Sequence, residues 1–134
     1  MEDLKHLKVL VLDDEPFMNR LIAQTLGTIG ITSILQAKGV DEAVTLLKGE
    51  QTPPDVLFVD LEMPGKTGFD FIKMLHAGTA GVPADTPVII LTGRSDSDGV
   101  LQAKELGVTS YMLKPISRTT LENRIQAAVS RRKS

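Results

Sequence analysis

Carboxylate, hydroxyl and ammonium groups stand at four separate points of the sequence, each at the end of an apolar run. They are the acidic run Asp13-Asp14-Glu15, Asp60, Thr92 and Lys114. A lone Asp after a strand more often caps a helix than takes part in chemistry. If all four points meet, however, the carboxylates repel one another unless protons or a cation neutralise them. Oxygen ligands without Cys or nearby His favour Mg²⁺.

The types of these residues suggest one reaction in particular. A metal beside an Asp nucleophile, with a Lys and a Thr aimed at the same point, meets the needs of phosphoryl transfer to a carboxylate. The hypothesis depends on the four points converging, and therefore on the elements that position them.

Three apolar runs, at 9–12, 56–59 and 88–91, have the length and β-branched content of strands. Their continuous apolarity indicates burial on both faces, as in a parallel sheet covered by helices. Weaker strands are expected at 32–37 and 109–113. Helical spacing joins Phe17, Leu21, Ile22, Leu26 and Ile29 in one stripe, and Val40, Ala43, Val44 and Leu47 in another.

Further helices are expected at about 68–76, 96–106 and 118–131. Gly30, Gly49 and Gly107 stand where left-handed helix ends are wanted, and Ser117 can cap the last helix. Five strand-helix units predict a single α/β domain over residues 1–134, doubly wound around a five-stranded parallel sheet. All strands then deliver their carboxyl ends to one edge, where ligands bind.

Composition narrows the functional classes. The 134 residues are 42% hydrophobic and 24% charged, without cysteine, which excludes disulfides and thiolate sites. A formal net charge of -2 gives no expectation of direct nucleic-acid binding. Because no apolar run approaches the roughly 18 residues of a membrane span, a cytoplasmic protein without membrane contact is expected.

These residues resemble, in identity and order, the receiver domain of two-component response regulators, of the chemotaxis type. The resemblance covers essentially the whole chain and rests on the following pairs and single residues: Asp13-Asp14, Asp60, Met63-Pro64, Gly68, Thr92-Gly93 and Lys114-Pro115. It implies a flavodoxin-like fold with strand order 2-1-3-4-5 and five helices. It also implies a cis peptide bond before Pro115.

The resemblance assigns roles to individual residues. Asp60 is the implied phosphoacceptor, with Thr92 and Lys114 holding the phosphoryl oxygens. Asp14, Asp60 and the backbone carbonyl of Glu62 would ligate Mg²⁺ directly, and Asp13 would contribute through water. Thr92 and Tyr111 are the implied switch residues, which change the surface of the fourth helix, fifth strand and fifth helix. Glu62 and Arg94 border the site, and we hypothesise that they pair and lengthen the phosphorylated lifetime.

The implied function is that of a regulatory phosphoacceptor in a phosphorelay and not that of an enzyme, beyond self-phosphorylation from small donors and autodephosphorylation. Its partners would be a histidine kinase or histidine phosphotransfer protein and a downstream target protein. A monomer is expected, with dimerisation on phosphorylation left open. The enzyme alternative is an Asp-nucleophile phosphohydrolase attacking through Asp13, whose second acid would have to be Glu15. A partner-binding module without phosphorylation is disfavoured by the complete acidic and basic set.

Overall fold

Strands and helices alternate along the whole chain. The computed structural model describes residues 4–93, 97–108, 110–114 and 116–133, and of these, 97–100 and 131–133 in their backbone alone. The elements are β1 (Lys8–Leu12), α1 (Pro16–Ile29), β2 (Ser33–Ala37), α2 (Val40–Gly49), β3 (Val56–Asp60), α3 (Gly68–His76), β4 (Val88–Thr92), α4 (Ser97–Glu105), β5 (Tyr111–Leu113) and α5 (Arg118–Lys133).

The five strands form one parallel sheet in the order β2-β1-β3-β4-β5, which confirms the predicted fold. Strand β3 lies at the centre, and all five of its residues are buried. Leu12, the last residue of β1, pairs with Ala37 of β2 and Val59 of β3. Asp60 pairs with Leu91 on β4. The strands therefore end nearly level with one another, and the residues that follow them share one edge.

Helices cover both faces of the sheet because the strands are apolar on both. On one face, α1 and α5 pack on alternate strand residues, which form a core of Val9, Val11, Val56, Phe58, Ile89 and Leu91 with Ile22, Leu26, Leu121 and Ile125. On the other face, α2 and α3 pack on Leu10, Leu12, Leu57 and Val59 through Val40, Ala43, Leu47, Phe71 and Leu75. A smaller cluster joins α3, α4 and β4 through Ile72, Ala103 and Ile90.

Several helix ends follow the prediction. Gly30 ends α1 in a left-handed conformation, and Gly107 also has a positive φ after α4. The hydroxyl of Ser117 accepts the backbone N–H of Thr120 at 3.2 Å, as expected of a cap. The prediction for Gly49 is wrong, because this residue lies inside α2 and the helix ends on Glu50 in an extended conformation.

The apolar stripe predicted for α1 is also wrong at one position. Phe17 is 69% exposed, because at about 100° per residue it lies on the face of α1 opposite to Leu26. Asn19 is instead buried with Ile22 and Leu26. Thr109 and Asp96, at the predicted starts of the fifth strand and fourth helix, and Pro115 lie outside the described residues. Within the described part of the chain, we find no helix with the length and apolarity needed to cross a membrane.

Candidate functional site

The acidic run forms the loop between β1 and α1. Asp13 has no exposed surface, and its backbone N–H donates to the carbonyl of Ala37 at 3.1 Å. Its Oδ1 atom accepts the backbone N–H of Glu15 at 2.9 Å. Pro16 then begins α1, where its missing N–H costs nothing and its fixed φ suits the helix. The loop is therefore short and bonded at each end, which holds Asp14 between two fixed neighbours.

Asp60 ends the central strand β3 and is 3% exposed. Its Oδ1 atom accepts the backbone N–H of Glu62 at 3.3 Å. Its Oδ2 atom is buried and has no hydrogen-bond partner among the described residues. A buried anionic oxygen of this kind is costly unless a cation or a reacting group meets it.

Gly68, the first residue of α3, packs directly on the backbone of Asp60. A Cβ atom at this position would lie 2.3 Å from the carbonyl oxygen of Asp60 and 2.9 Å from Cα of Leu61. Real carbon atoms do not approach so closely, so the contact requires glycine. The close packing of α3 thereby fixes the position of the Asp60 backbone at the edge of the sheet.

Lys114 follows β5 and reaches back across the edge to the acidic residues. Its Nζ atom lies 2.9 Å from Oδ2 of Asp13, 2.9 Å from Oε1 of Glu15 and 3.6 Å from Oδ2 of Asp60. Burial by itself would lower the pKa of Lys114, but the bonds to Glu15 and Asp13 and the charge of Asp60 outweigh burial and raise it. Lys114 is therefore a permanent cation in this site.

The carboxyl group of Asp60 binds its proton more tightly than an ordinary Asp. Burial, followed by the charge of Asp13, raises the pKa of Asp60 from 3.8 to about 7. Lys114 and the backbone N–H of Glu62 lower it, and the contact with Asp14 raises it further. Burial and the predicted repulsion between carboxylates therefore both raise the pKa of Asp60.

Three carboxylates of the site are close enough to share one cation. Oxygen atoms of Asp13, Glu15 and Asp60 lie within 4.8 Å of one another, whereas Asp14 is not part of this group of described residues. Among the described residues, the ammonium of Lys114 faces these three carboxylates, so carboxylates outnumber cations in this part of the site. The all-oxygen donor set and the unbonded Oδ2 atom of Asp60 fit a hard divalent cation such as Mg²⁺.

Thr92 and Lys114 are tied together through the sheet. Thr92 ends β4 and is 6% exposed, and its carbonyl accepts the backbone N–H of Lys114 at 2.8 Å. Thr92 and Tyr111 line the same small cavity beside Ile90, with a volume of about 10 Å³. Tyr111 is 38% exposed, so part of this residue is open to solvent. The side chain of Glu62 is exposed, and Arg94 lies outside the described residues.

Two residues of the site were missed by sequence reasoning. Glu15 was considered only within the acidic run and as the second acid of the hydrolase alternative, yet it pairs with Lys114. Asn19 was given no role, yet its side chain bonds the carbonyls of Asp13 and Ala37. A signal for Asn19 was present, because it precedes Ile22 and Leu26 by three and seven residues on the apolar face of α1.

Comparison with known proteins shows the family to which the chain belongs. Residues 9–126 match the model of the response regulator receiver domain. The chain is 29% identical to the chemotaxis protein CheY of Pseudomonas aeruginosa over 93% of its own length and 98% of that protein. It is 35% identical to a probable transcriptional regulator, ycf27, of Porphyridium aerugineum, over 92% of this chain and 48% of the relative.

Solved structures give the same result for the fold. A receiver domain protein from Clostridium thermocellum superposes with a TM-score of 0.83 at 30% identity, covering 95% of this chain and 97% of that one. The chemotaxis protein CheY4 of Vibrio cholerae gives 0.80 at 27% identity, with 91% and 98% covered.

The chain belongs to the receiver domain family of response regulators, as its sequence motifs predicted. Receiver domains are regulatory signalling domains of two-component systems, and the phosphohydrolase alternative is not favoured. The chain spans about half the length of several curated relatives that it matches, such as the transcriptional regulators ycf27 and PhoB, and nearly all of CheY.

Proposed function

We propose that residues 1–134 act as one receiver domain that accepts a phosphoryl group on Asp60. The observation that carries the proposal is the buried Oδ2 atom of Asp60, which lacks a hydrogen bond and lies 3.6 Å from the ammonium of Lys114. A carboxylate oxygen with no hydrogen-bond partner is available as a nucleophile, and a cation at this distance can compensate the charge that the phosphoryl group adds.

The transfer exchanges one bond to phosphorus for another. A carboxylate oxygen of Asp60 attacks the phosphorus of a phosphohistidine, the new O–P bond forms, the N–P bond breaks, and the imidazole leaves with the electron pair. Lys114, and the Thr92 hydroxyl at the neighbouring strand end, would hold the phosphoryl oxygens. Mg²⁺, when bound, neutralises charge on the acceptor and on the transferred group.

The acidic residues would hold Mg²⁺ in the arrangement that the resemblance implies. Asp14, Asp60 and the backbone carbonyl of Glu62 are the proposed direct ligands, with Asp13 contributing through water. The structure adds Glu15 as a further carboxylate within reach. Because Glu15 is also bonded to Lys114, metal binding and Lys114 compete for it.

The geometry speaks against Asp13 as the nucleophile of a hydrolase. Its Oδ1 atom is bonded to the backbone N–H of Glu15, and its Oδ2 atom forms the ion pair with Lys114. With no exposed surface, Asp13 cannot approach a phosphoryl donor without giving up both contacts.

Phosphorylation would be read out on the surface of α4, β5 and α5. In the proposed switch, the Thr92 hydroxyl moves toward the phosphoryl group and Tyr111 turns into the space beside it. Both residues line one small cavity, so a shift of the Thr92 side chain would change the space beside Tyr111. Such a change is a shift between two existing states of the domain. The exposed Leu101, Tyr111 and Leu113 offer apolar contacts to a target protein or a second copy.

The proposed partners are a histidine kinase or a histidine phosphotransfer protein upstream and a target protein downstream. Beyond autophosphorylation from small donors and autodephosphorylation, we propose no catalytic activity. Glu62 and Arg94 would tune the lifetime of the phosphoryl group. The hydrolysis rates of phosphorylated Glu62→Ala and Arg94→Ala test this role, and wild-type rates in both variants would exclude it.

The experiment for the acceptor is labelling with acetyl phosphate and Mg²⁺, followed by mass spectrometry of borohydride-reduced peptides. We expect one phosphoryl group, on Asp60, and none in Asp60→Asn. The matched control is Asp55→Asn, which changes an Asp at the opposite edge, before β3, and should label normally. Labelling at Asp13 with rapid turnover would support the hydrolase instead.

A further inference from the structure

Asn19 is a buried polar residue on the apolar face of α1, with 3% of its surface exposed. Burying a primary amide costs free energy unless its groups are bonded. Its Nδ2 atom donates to the backbone carbonyls of Asp13 at 3.0 Å and Ala37 at 2.9 Å. Its Oδ1 atom accepts Nε2 of Gln36 at 2.8 Å. The amide is thus bonded through both of its polar atoms.

Through these bonds one residue holds both ends of the acidic loop. The side chain of Asn19 bonds the carbonyl of Asp13, and its backbone N–H bonds the carbonyl of Glu15 at 2.9 Å. Asp14 lies between the two fixed points. The carbonyl of Ala37 accepts from both Asn19 and the backbone N–H of Asp13, which ties the loop to the end of β2.

We propose that Asn19 is a positioning residue, which sets the backbone of the acidic loop so that its carboxylates can bind Mg²⁺ together with Asp60. The inference rests on the proposed function of this site. In the contacts above, Asn19 bonds main-chain atoms of the loop, so it acts through the orientation of the loop. Gln36, on β2, donates to the side-chain oxygen of Asn19 and so orients its amide. Because Gln36 is exposed, the hydrogen-bonded network reaches the surface.

The chemistry of the two contacts requires an amide. Two carbonyl oxygens must be met by two N–H groups from a single short side chain. A Ser hydroxyl supplies one donor, and Leu, which is similar in size to Asn, supplies none. An ionised carboxylate has no donor, and its oxygens would be repelled by both carbonyl oxygens. Asn19→Ser and Asn19→Leu therefore form a graded series, in which one and then both donors are lost.

The test is the Mg²⁺ affinity of the metal-free protein, measured by titration calorimetry, together with amide hydrogen exchange at Asp14 and Glu15. Residues that orient metal ligands without touching the metal typically contribute about ten- to a hundredfold in affinity. We expect Asn19→Leu to bind Mg²⁺ about tenfold more weakly, with Asn19→Ser between it and the wild type. Exchange at the two loop amides should rise in the same order.

Gln36→Met removes the bond to Asn19 from an exposed position outside the acidic loop. We expect it to weaken Mg²⁺ binding in the same direction by a smaller factor. The matched control is Thr86→Val, because the Thr86 hydroxyl is also buried and donates to a carbonyl, that of Pro83 at 2.6 Å, but at the opposite edge of the sheet. Its Mg²⁺ affinity should equal that of the wild type.

Acetyl phosphate labelling distinguishes a positioning role from general damage. If Asn19 acts through the loop, the labelling rate of Asn19→Leu falls at limiting Mg²⁺ and recovers at saturating Mg²⁺. Wild-type Mg²⁺ affinity in folded Asn19→Leu would overturn the inference. Should that variant fail to fold, unchanged affinity in both Asn19→Ser and Gln36→Met overturns it equally. Failure of the wild type to label at Asp60 would instead overturn the proposed function. The Mg²⁺ affinities would still test the role of Asn19, because they are measured without phosphorylation.

Discussion

The ammonium nitrogen of Lys114 lies 2.9 Å from Oδ2 of Asp13, a carboxylate without exposed surface. The Lys114 side chain is itself only 9% exposed, so the pair is shielded from water and salt. Asp60 is farther from the same cation, at 3.6 Å. The two acidic residues therefore differ in their pairing: Asp13 is the nearer counter-charge of Lys114, and Asp60 is held less closely by the same cation.

Replacing Lys114 by Met should destabilise the metal-free protein. The substitution leaves Asp13 buried without its partner, and removing one member of a buried pair costs on the order of 3 kcal/mol. Saturating Mg²⁺ should reduce the loss, because the metal supplies the missing positive charge. Urea unfolding with and without Mg²⁺ measures both effects.

The matched control for Lys114 is Lys66→Met. Lys66 pairs with Asp41 on the surface, where the two side chains are 55% and 82% exposed. Such pairs are worth about 0–1 kcal/mol, so little change is expected with or without metal. Equal unfolding midpoints for the two lysine variants would show that burial of the Asp13 pair has no energetic consequence.

Stability of the metal-free protein should fall as pH rises toward neutrality because of Asp60. Its pKa is 3.8 in an ordinary environment and about 7 in the folded protein, so the folded state favours the protonated form. The stability conferred by this proton is complete below the unfolded pKa, declines as pH rises and is lost above about 7. Asp60→Asn removes the dependence.

At pH 8 in chelator, Asp60→Asn should therefore exceed the wild type in unfolding free energy by at least about 1 kcal/mol. The difference should disappear near pH 4, where the folded wild type is protonated, and reverse in saturating Mg²⁺, which binds the carboxylate. Denaturant titrations at the two pH values provide the measurement. An Asn variant no more stable than the wild type at pH 8 would contradict the raised pKa.

Gly68→Ala should be strongly destabilising, although Ala is the better helix former. The new methyl group would meet the Asp60 carbonyl oxygen at 2.3 Å, so the start of α3 or the end of β3 must move. Overpacking of this kind costs about 1–3 kcal/mol, which outweighs the gain of about 1 kcal/mol in helix propensity. The melting temperature of Gly68→Ala and the rate at which its Asp60 is labelled should both be lower than in the wild type.

Gly49→Ala is the control for this substitution. Gly49 lies in α2 with a Cβ position that meets no atom within 4 Å, and its φ is not positive. Ala at this site should be neutral or stabilise by up to about 1 kcal/mol. If the two alanine variants behave alike, the close approach of Gly68 to Asp60 is not a constraint.

The capping box of α3 predicts a lowered pKa for Asp70. The backbone N–H of Thr67 donates to Oδ2 of Asp70 at 2.7 Å and is the leading cause, while the Thr67 hydroxyl adds to it. The contribution of Asp70 to stability is therefore present above its unfolded pKa of 3.8 and is lost as pH falls through the lower folded value.

Carbon-detected NMR titration should find the pKa of Asp70 below 3.8 in the wild type and raised, without full recovery, in Thr67→Ala. The remaining shift reflects the backbone donor, which the substitution keeps. A full return to the ordinary value would assign the effect to the hydroxyl alone. Thr67→Ala should also lose about 1 kcal/mol through its missing cap.

Much of the site could be predicted from sequence because a parallel sheet aligns the ends of its strands. Once 9–12, 56–59 and 88–91 are identified as buried strands, Asp13, Asp60 and Thr92 must share an edge. Lys114 follows by the same reasoning from the weaker fifth strand. The positions of these residues depend on where each strand ends and on the strands running parallel, and both can be predicted from the order of apolar and polar residues.

The remaining features depend on contacts that no local pattern encodes. Asn19 donates to backbone carbonyl oxygens. Because every residue has a backbone carbonyl, the sequence does not indicate which ones Asn19 will meet. Glu15 belongs to the site because it accepts a hydrogen bond from Lys114, which is 99 residues away in the sequence. Phe17 was included in the predicted apolar stripe, yet it is exposed on the face of α1 opposite to the buried Leu26.

The distance along the chain between Lys114 and the acidic loop has a consequence for biosynthesis. In the described sheet, β5 is an edge strand paired with β4, at the far side from β1 and β2. The strands β1 to β4, with Asp60 at the end of β3, all precede Lys114 in the chain and therefore leave the ribosome before it. Until β5 docks on β4, the carboxyl group of Asp60 lacks the ammonium of Lys114. Under the proposed function, a nascent domain would therefore accept a phosphoryl group only after the last strand has joined the sheet.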